Sequence, residues 1–325
     1  MCLLMLSAIG WGQAGAKDAS QDVEPVQRPV TTIKVNTRVV AISAVVKSKD
    51  GELRGGLTKE EFILKQDGKE EPIRYFSQGS ELPLTFALMV DTSGSQRTFI
   101  GDESEASDVF FETMLGRKED RATLVQFDTH VVQLKGMTNS ANALHLALLS
   151  LTSHASAVGG TLLNDAVYAV AKDVLANETG RKAMVILSDG GDNGSRRSLA
   201  EAIEQAQRGN VQIYSILYSM WEGASPVTLG SGLNGIGPVR PPAIDPGLGL
   251  LQKLSESTGG HVFTVSRTMS LRTIFTQIGQ DLRLQYELGY TPPPDTQPDS
   301  YHKLELKAKD KRLTVQARKG FFAPP

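Results

Sequence analysis

Cysteine is almost missing from this chain: of 325 residues only Cys2 carries a thiol. It falls in an N-terminal stretch that reads as a leader, so a disulfide framework in the mature protein is excluded. An excess of either charge is missing too. Lys and Arg number 34 against 36 Asp and Glu, a net of −2, which gives no electrostatic reason to expect nucleic acid or an anionic membrane surface as partner. Beyond the leader, no stretch approaches the ~18 consecutive apolar residues of a spanning helix. The histidines, His130, His145, His154, His261 and His302, nowhere pair at metal-ligand spacing. With no cysteine to join them, a zinc site of the usual kind is excluded.

What the chain does have is length and apolar content. At 325 residues, 40% hydrophobic and 22% charged, it can bury one large core and a smaller one. The stretch Leu84-Thr85-Phe86-Ala87-Leu88-Met89-Val90 is apolar enough for a strand buried on both faces, as in a parallel sheet. It ends in Asp91-Thr92-Ser93-Gly94-Ser95. Polar groups at the carboxyl end of such a strand sit at the rim where open α/β sheets bind ligands. Asp91, Ser93 and Ser95 alternate along the turn, so three oxygen-bearing side chains can converge on one point. Oxygen-only donors favour a hard cation, Mg²⁺, Mn²⁺ or Ca²⁺, over zinc. A pepsin-like protease would need its glycine one place earlier and a second copy of the motif. A haloacid dehalogenase phosphatase would need an acid where Ser93 stands, and a serine hydrolase elbow would read Gly-x-Ser-x-Gly.

Two distant stretches complete a pattern. Gly159-Gly160-Thr161 opens an amphipathic helix, and Lys182 to Leu187 is a second apolar strand, ending in Ser188-Asp189-Gly190. With these, residues 82–283 resemble the von Willebrand factor type A (VWA) domain, found also in integrins. All five positions of its metal-ion-dependent adhesion site match: Asp91, Ser93, Ser95, Thr161 and Asp189. The resemblance implies hydroxyl oxygens from Ser93, Ser95 and Thr161 on a divalent metal, Mg²⁺ or else Mn²⁺ or Ca²⁺. Asp91 and Asp189 act directly or through water, and an acidic side chain of a protein partner fills the remaining place. No nucleophile or general base stands out beside this set, so no turnover is expected. The competing readings are a metal-dependent hydrolase, for which His154 and Asp192 are the available bases, and a structural envelope module. Asp192 itself is read as a turn residue.

The flanks read differently. Residues 1–16 read as an export signal without its basic start, with an apolar core at Cys2 to Ile9 and a cleavage site at Ala14-Gly15-Ala16. Residues 17–30 look like a linker, and the mature protein is expected to be secreted or periplasmic. Across 31–80 the period is two. Asp50-Gly51 marks a hairpin turn, Thr58 with Glu61 caps a single helical turn, and 62–65 is expected to form a hairpin with 73–76. Residues 284–320 return to period two, with 301–307 and 313–318 as a closing hairpin. The two ends of the mature chain resemble exported bacterial proteins classed as VWFA-related acidobacterial domain proteins. The expected fold class is α/β, a doubly wound, mostly parallel sheet with helices on both faces, inserted in a small all-β sandwich-like domain. Its halves, 31–80 and 284–320, each have too few strands to stand alone. Residues 219–249, with Trp221, are a long insertion. The final helix carries Leu271, Ile274, Phe275, Ile278 and Leu282 as its stripe. In integrins that helix shifts on ligand binding; here a static helix is expected.

Overall fold

The computed structural model describes residues 39–79, 82–96, 100–151, 160–218 and 246–323. The leader, the linker, the alternation before residue 39, Gly159, His154 and the 219–245 part of the insertion, with Trp221, lie outside the described residues.

Side chains alternate along a strand, so in β1 (Val40–Ser48) the residues Val40, Ile42, Ala44 and Val46 fall on one face, and all four are buried. A turn at Asp50-Gly51 brings Leu53 back beside Lys47. A 3-10 turn follows at Lys59–Glu61, where the Glu61 carboxylate accepts the Thr58 N–H at 2.7 Å. β2 (Phe62–Gln66) then folds on β3 (Lys69–Glu70), while β4 (Tyr75–Gln78) pairs elsewhere, with the strand at 286–290. The sequence-based hairpin of 62–65 with 73–76 is therefore corrected. Pro72 has no N–H to continue the ladder, and the chain crosses to a second sheet.

The middle of the chain alternates strand and helix, which dictates a parallel sheet with helical crossovers. In order come β5 (Leu84–Asp91), α1 (Ile100–Met114), β6 (Arg121–Phe127), β7 (Val131–Thr138), α2 (Ala141–Leu148), α3 (Leu163–Ala169), β8 (Arg181–Ser188), α4 (Leu199–Arg208), β9 (Val211–Leu217), α5 (Pro246–Thr258), β10 (Val262–Thr264) and α6 (Leu271–Leu284). α3 continues as a π-helical segment, Val170–Leu175. The sheet order is β10-β9-β8-β5-β6-β7, parallel throughout except for β7. β5 is buried along its whole length. Phe86, Leu88 and Val90 pack on one face with Phe110 and Phe111 of α1 and Phe275 of α6. Ala87 and Met89 pack on the other with α3, α4 and α5. The Phe110 and Phe275 rings stack at 4.3 Å. Between α5 and β10 the main chain presses directly on β9: a Cβ on Gly260 would lie 1.7 Å from the Ile213 carbonyl oxygen.

The chain then leaves α6 with one residue, Gln285, before β11 (Tyr286–Tyr290), β12 (Tyr301–Ala308), β13 (Leu313–Ala317) and β14 (Gly320–Phe322). Two antiparallel sheets result, ordered β13-β1-β11-β4 and β14-β12-β2-β3. β12 and β13 lie in different sheets, so the expected closing hairpin is corrected as well. Each turns its apolar row, Leu304 and Leu306 or Leu313 and Val315, into the space between the sheets, as in a sandwich. That space holds Ile42, Val46, Phe62, Leu64, Tyr286, Leu288 and Phe321, so strands from both ends of the chain fill one core. Within it the Tyr290 hydroxyl donates to Gln66 Oε1 at 2.7 Å. Tyr290→Phe leaves that buried oxygen without its donor and is expected to cost about 1–2 kcal/mol, read as a lower urea midpoint at unchanged slope.

The carboxyl end of α6 is held by charged groups from three other parts of the chain, Lys47, Asp120 and Arg181. Asp281, almost wholly buried, takes the Lys47 ammonium of β1 at 2.8 Å. Arg283 reaches the Met114 carbonyl at the end of α1 and the buried Asp120 at 2.6 and 2.7 Å. Asp120 in turn accepts the Leu84 N–H at the start of β5. Arg181, at the start of β8, donates to the Leu282 carbonyl and to that of Leu82.

Candidate metal centre

From β5 the chain crosses through α1 to β6 on one side, and β8 then takes the place on the other. The crevice between the carboxyl ends of β5 and β8 is thus the topological switch point, where doubly wound sheets bind ligands. Asp91 is the last residue of β5, and Asp189 follows the last residue of β8. The two strand ends are tied directly, because Ser188 Oγ donates to Asp91 Oδ2 at 2.6 Å and accepts the Gly190 N–H at 2.9 Å. The other Asp91 oxygen accepts the Ser93 N–H at 2.9 Å, which winds the turn tightly enough to set Ser93 Oγ 3.2 Å from Ser95 Oγ. Asp91 and Ser93 are buried, and Ser95 is exposed.

Thr161 reaches the same rim by exchanging main-chain hydrogen bonds with Asn193 at 3.1 and 2.9 Å. Asp189 is half-buried and accepts the Gly191 N–H at 2.9 Å. The loop beyond it lies against the start of α5. Gly190 has φ +77°, and a Cβ there would meet the Gly247 carbonyl oxygen at 2.3 Å, so only glycine fits. The structure thus places Asp91, Ser93 and Ser95 on one turn, with Thr161 and Asp189 on loops bonded to or following the adjoining strand. Of the bases considered for hydrolysis, Asp192 has its carboxylate taken up by Asn164 Nδ2 and Ser195 Oγ, both at 2.6 Å. It is more than the turn residue it resembles, since it joins the 189–195 loop to the start of α3. Sequence reasoning also missed Ser188, which holds Asp91 from the neighbouring strand, and Asp128, which accepts the Thr92 hydroxyl of the turn after β5. The only available signal was a hydroxyl or acid at a strand end.

Oxygen donors of this kind suit a hard divalent ion. Among the described residues no three His, Cys, Asp or Glu side chains cluster as a metal set, so a cation here would depend on the hydroxyls. The electrostatics of Asp91 fit such an ion. Burial pushes its carboxyl up to about 6, against the pull of the Ser188 and Ser93 hydrogen bonds, and the nearby Asp189 carboxylate pushes the same way. A carboxylate buried beside another one lacks positive charge, which a cation would supply.

The metal-free protein should report this in its stability. With a folded value of about 6 against 3.8 unfolded, the folded state holds the Asp91 proton more tightly. This contribution is fully present below the unfolded value and is lost as pH rises from about 4 through 6, by about 3 kcal/mol. Denaturation midpoints measured in chelator across that window are expected to fall with pH, and Asp91→Asn is expected to flatten the slope.

The family described as von Willebrand factor type A domain matches residues 87–277. Among solved structures, the chain is similar to the conserved hypothetical protein BatB from Bacteroides thetaiotaomicron, at 15% identity over 61% of this chain and 97% of that one, TM-score 0.46. It is similar to the vWF domain of the type V pili tip protein Mfa5 from Porphyromonas gingivalis, at 14% identity over 62% and 95%, TM-score 0.46. It is also similar to proximal thread matrix protein 1 from the mussel byssus with a zinc-occupied MIDAS motif, at 16% identity over 65% and 48%, TM-score 0.45. No curated protein matches the chain.

Proposed function

Because the chain belongs to the von Willebrand factor type A domain family, we propose that it is an exported protein-binding module whose ligand contact is made through a divalent cation. Asp91, Ser93, Ser95, Thr161 and Asp189 would hold the ion, Mg²⁺ or else Mn²⁺ or Ca²⁺. Two carboxylates offset its 2+ charge, and an acidic side chain of the partner completes its shell. The observation that carries this reading is Asp91, a buried carboxylate at the switch point with another carboxylate for its charged neighbour. The bound ion supplies a Lewis-acidic point that an anionic ligand can neutralise. The protein's own part is to fix the oxygens on three loops and to hold Asp91 ionised against its burial.

Residues 31–80 and 284–320 are proposed as one β-domain, with residues 82–283 inserted between its halves. Support comes from the mixed core that strands 40–66 and 286–322 fill together. A binding module is favoured over a hydrolase because Asp192 already accepts two short hydrogen bonds and so is poorly placed to take a proton from water.

The test is calorimetry with Mn²⁺ and Mg²⁺, followed by titration of a glutamate-bearing peptide with and without chelator. One ion per chain, and peptide binding that chelator removes, are expected. A chain that takes up no ion would overturn the proposal. An ion with peptide binding indifferent to chelator would leave a metal site but remove its role in recognition.

A further inference from the structure

We propose that Asp128 is a positioning residue of the cation site, one that lashes the Asp91 turn to the Thr161 loop and so sets ion affinity without touching the ion. The inference rests on the metal-site reading above.

The site is assembled from three pieces of chain: the turn 91–96 after β5, the segment 160–164 leading into α3, and the loop 188–195 at the end of β8. Each pair of pieces needs a tie. Ser188 joins the first to the third through its 2.6 Å bond to Asp91. Asp192 and Asn193 join the second to the third, through Asn164 at 2.6 Å and through the main chain of Thr161. The remaining tie, first to second, is Asp128.

Asp128 follows β6, the strand beside β5, and is 2% exposed. Its Oδ2 accepts the Thr92 hydroxyl at 3.2 Å, and its Oδ1 accepts the His130 N–H at 2.9 Å and the Thr129 hydroxyl at 3.3 Å. Thr92 is wholly buried and stands between Asp91 and Ser93. The side chain of Asp128 therefore grips the middle of the turn that carries three of the five donors. Its main chain grips the other loop: the Asp128 carbonyl accepts the Leu162 N–H at 2.8 Å, one residue from Thr161. Bonds from the side chain fix the rotamer and bonds from the main chain fix the loop, so one residue sets the spacing of both donor groups. Partners that orient metal ligands without binding the metal typically change affinity by 10–100-fold when lost.

The probe is Mn²⁺ on the full chain, followed by calorimetry and by its magnetic resonance signal, with denaturation midpoints measured alongside. Asp128→Ala removes both side-chain grips and is expected to weaken Mn²⁺ binding by about 10–100-fold. Asp128→Asn keeps an acceptor for the His130 N–H and turns a donor toward the Thr92 oxygen, so its affinity is expected within about 3-fold of wild type. Thr92→Val fills the same space without the hydroxyl and tests the link from its other end, with an expected loss of about 5–10-fold. If Asp128→Ala fails to fold, the valine variant decides. Unchanged affinity in a folded Asp128→Ala or in Thr92→Val overturns the proposal. So does an asparagine variant as weak as the alanine one, because that would make the charge, not the position, the active property. Failure of the wild type to bind Mn²⁺ would remove the metal-site reading itself. Wild-type binding that Asp91→Ala loses but Asp128→Ala keeps would remove this inference alone.

Discussion

Replacing either Asp91 or Asp189 by alanine is expected to weaken divalent-cation binding by about 100-fold or more, which is about 2.7 kcal/mol, while the protein stays folded. The two halves of this expectation have different causes. Affinity falls because each carboxylate supplies half of the charge that offsets the ion, and three hydroxyls cannot replace it. The fold survives because β5 is buried along its length by apolar contacts on both faces, and none of these involves the ion. Asp91→Ala does strip an acceptor from the Ser188 hydroxyl and the Ser93 N–H. It also removes a carboxylate that burial has pushed up to about 6, so at neutral pH the losses and the relief run in opposite directions. Calorimetry with Mg²⁺ and Mn²⁺, beside circular dichroism of each variant, is the measurement. Affinity unchanged in both variants would end the assignment of the site.

A far larger loss of stability is expected from a change remote from any ligand, Gly260→Ala. Here the obstacle is backbone. The new Cβ would lie 1.7 Å from the Ile213 carbonyl oxygen and 2.5 Å from its carbon, in the middle of β9. No side-chain rotation relieves a clash of that kind, so either β10 leaves the sheet or α5 moves with it. A loss of about 4 kcal/mol or more is expected, at the extreme of single substitutions. Gly136→Ala is the matched control, since nothing lies within 4 Å of its would-be Cβ. It is expected to change the denaturation midpoint little. A Gly260→Ala protein as stable as the control would mean that the α5–β10 connection is not packed as described.

How much of this was legible beforehand varies with the range of the interactions. The apolar runs at 84–90 and 182–187 announced a buried parallel sheet, because a strand covered on both faces has no polar alternation to obscure it. The candidate donors Asp91, Ser93 and Ser95 could be proposed from side-chain type and spacing along one turn, and Thr161 and Asp189 from the resemblance to the VWA domain. Asp128 could not. In the sequence it is an acid in a tight connection, and its importance comes from Thr92 and Leu162, distant in the chain. The same limit explains the two strand-pairing errors. Period two in 301–307 and 313–318 fixes which side chains face inward, but it does not say which strand lies alongside. β12 lies beside β2 and β13 beside β1, each more than 200 residues away, and only β14, on the other side of β12, is near in the chain. Pro72 was the one local sign that 62–66 and 75–78 would part company.

The charged grip on the end of α6 bears on how a partner's arrival could be felt elsewhere. A helix that responds to binding by ratcheting past its neighbours moves one turn, a travel of about 5.4 Å. For α6 that travel would pull Asp281 from Lys47 and Arg283 from Asp120. Two acids with side chains 2% and 0% exposed would then lose their ion-pair partners, at a cost of about 3 kcal/mol or more for each. Coupling between a binding site and a distant element is typically 1–3 kcal/mol in total, too little to drive both ruptures. α6 therefore behaves as a riveted strut. Under the proposed binding role, tension on a partner held at the rim would pass through it into the antiparallel sheets without a change of grip, as through a hook of constant strength with no catch to release.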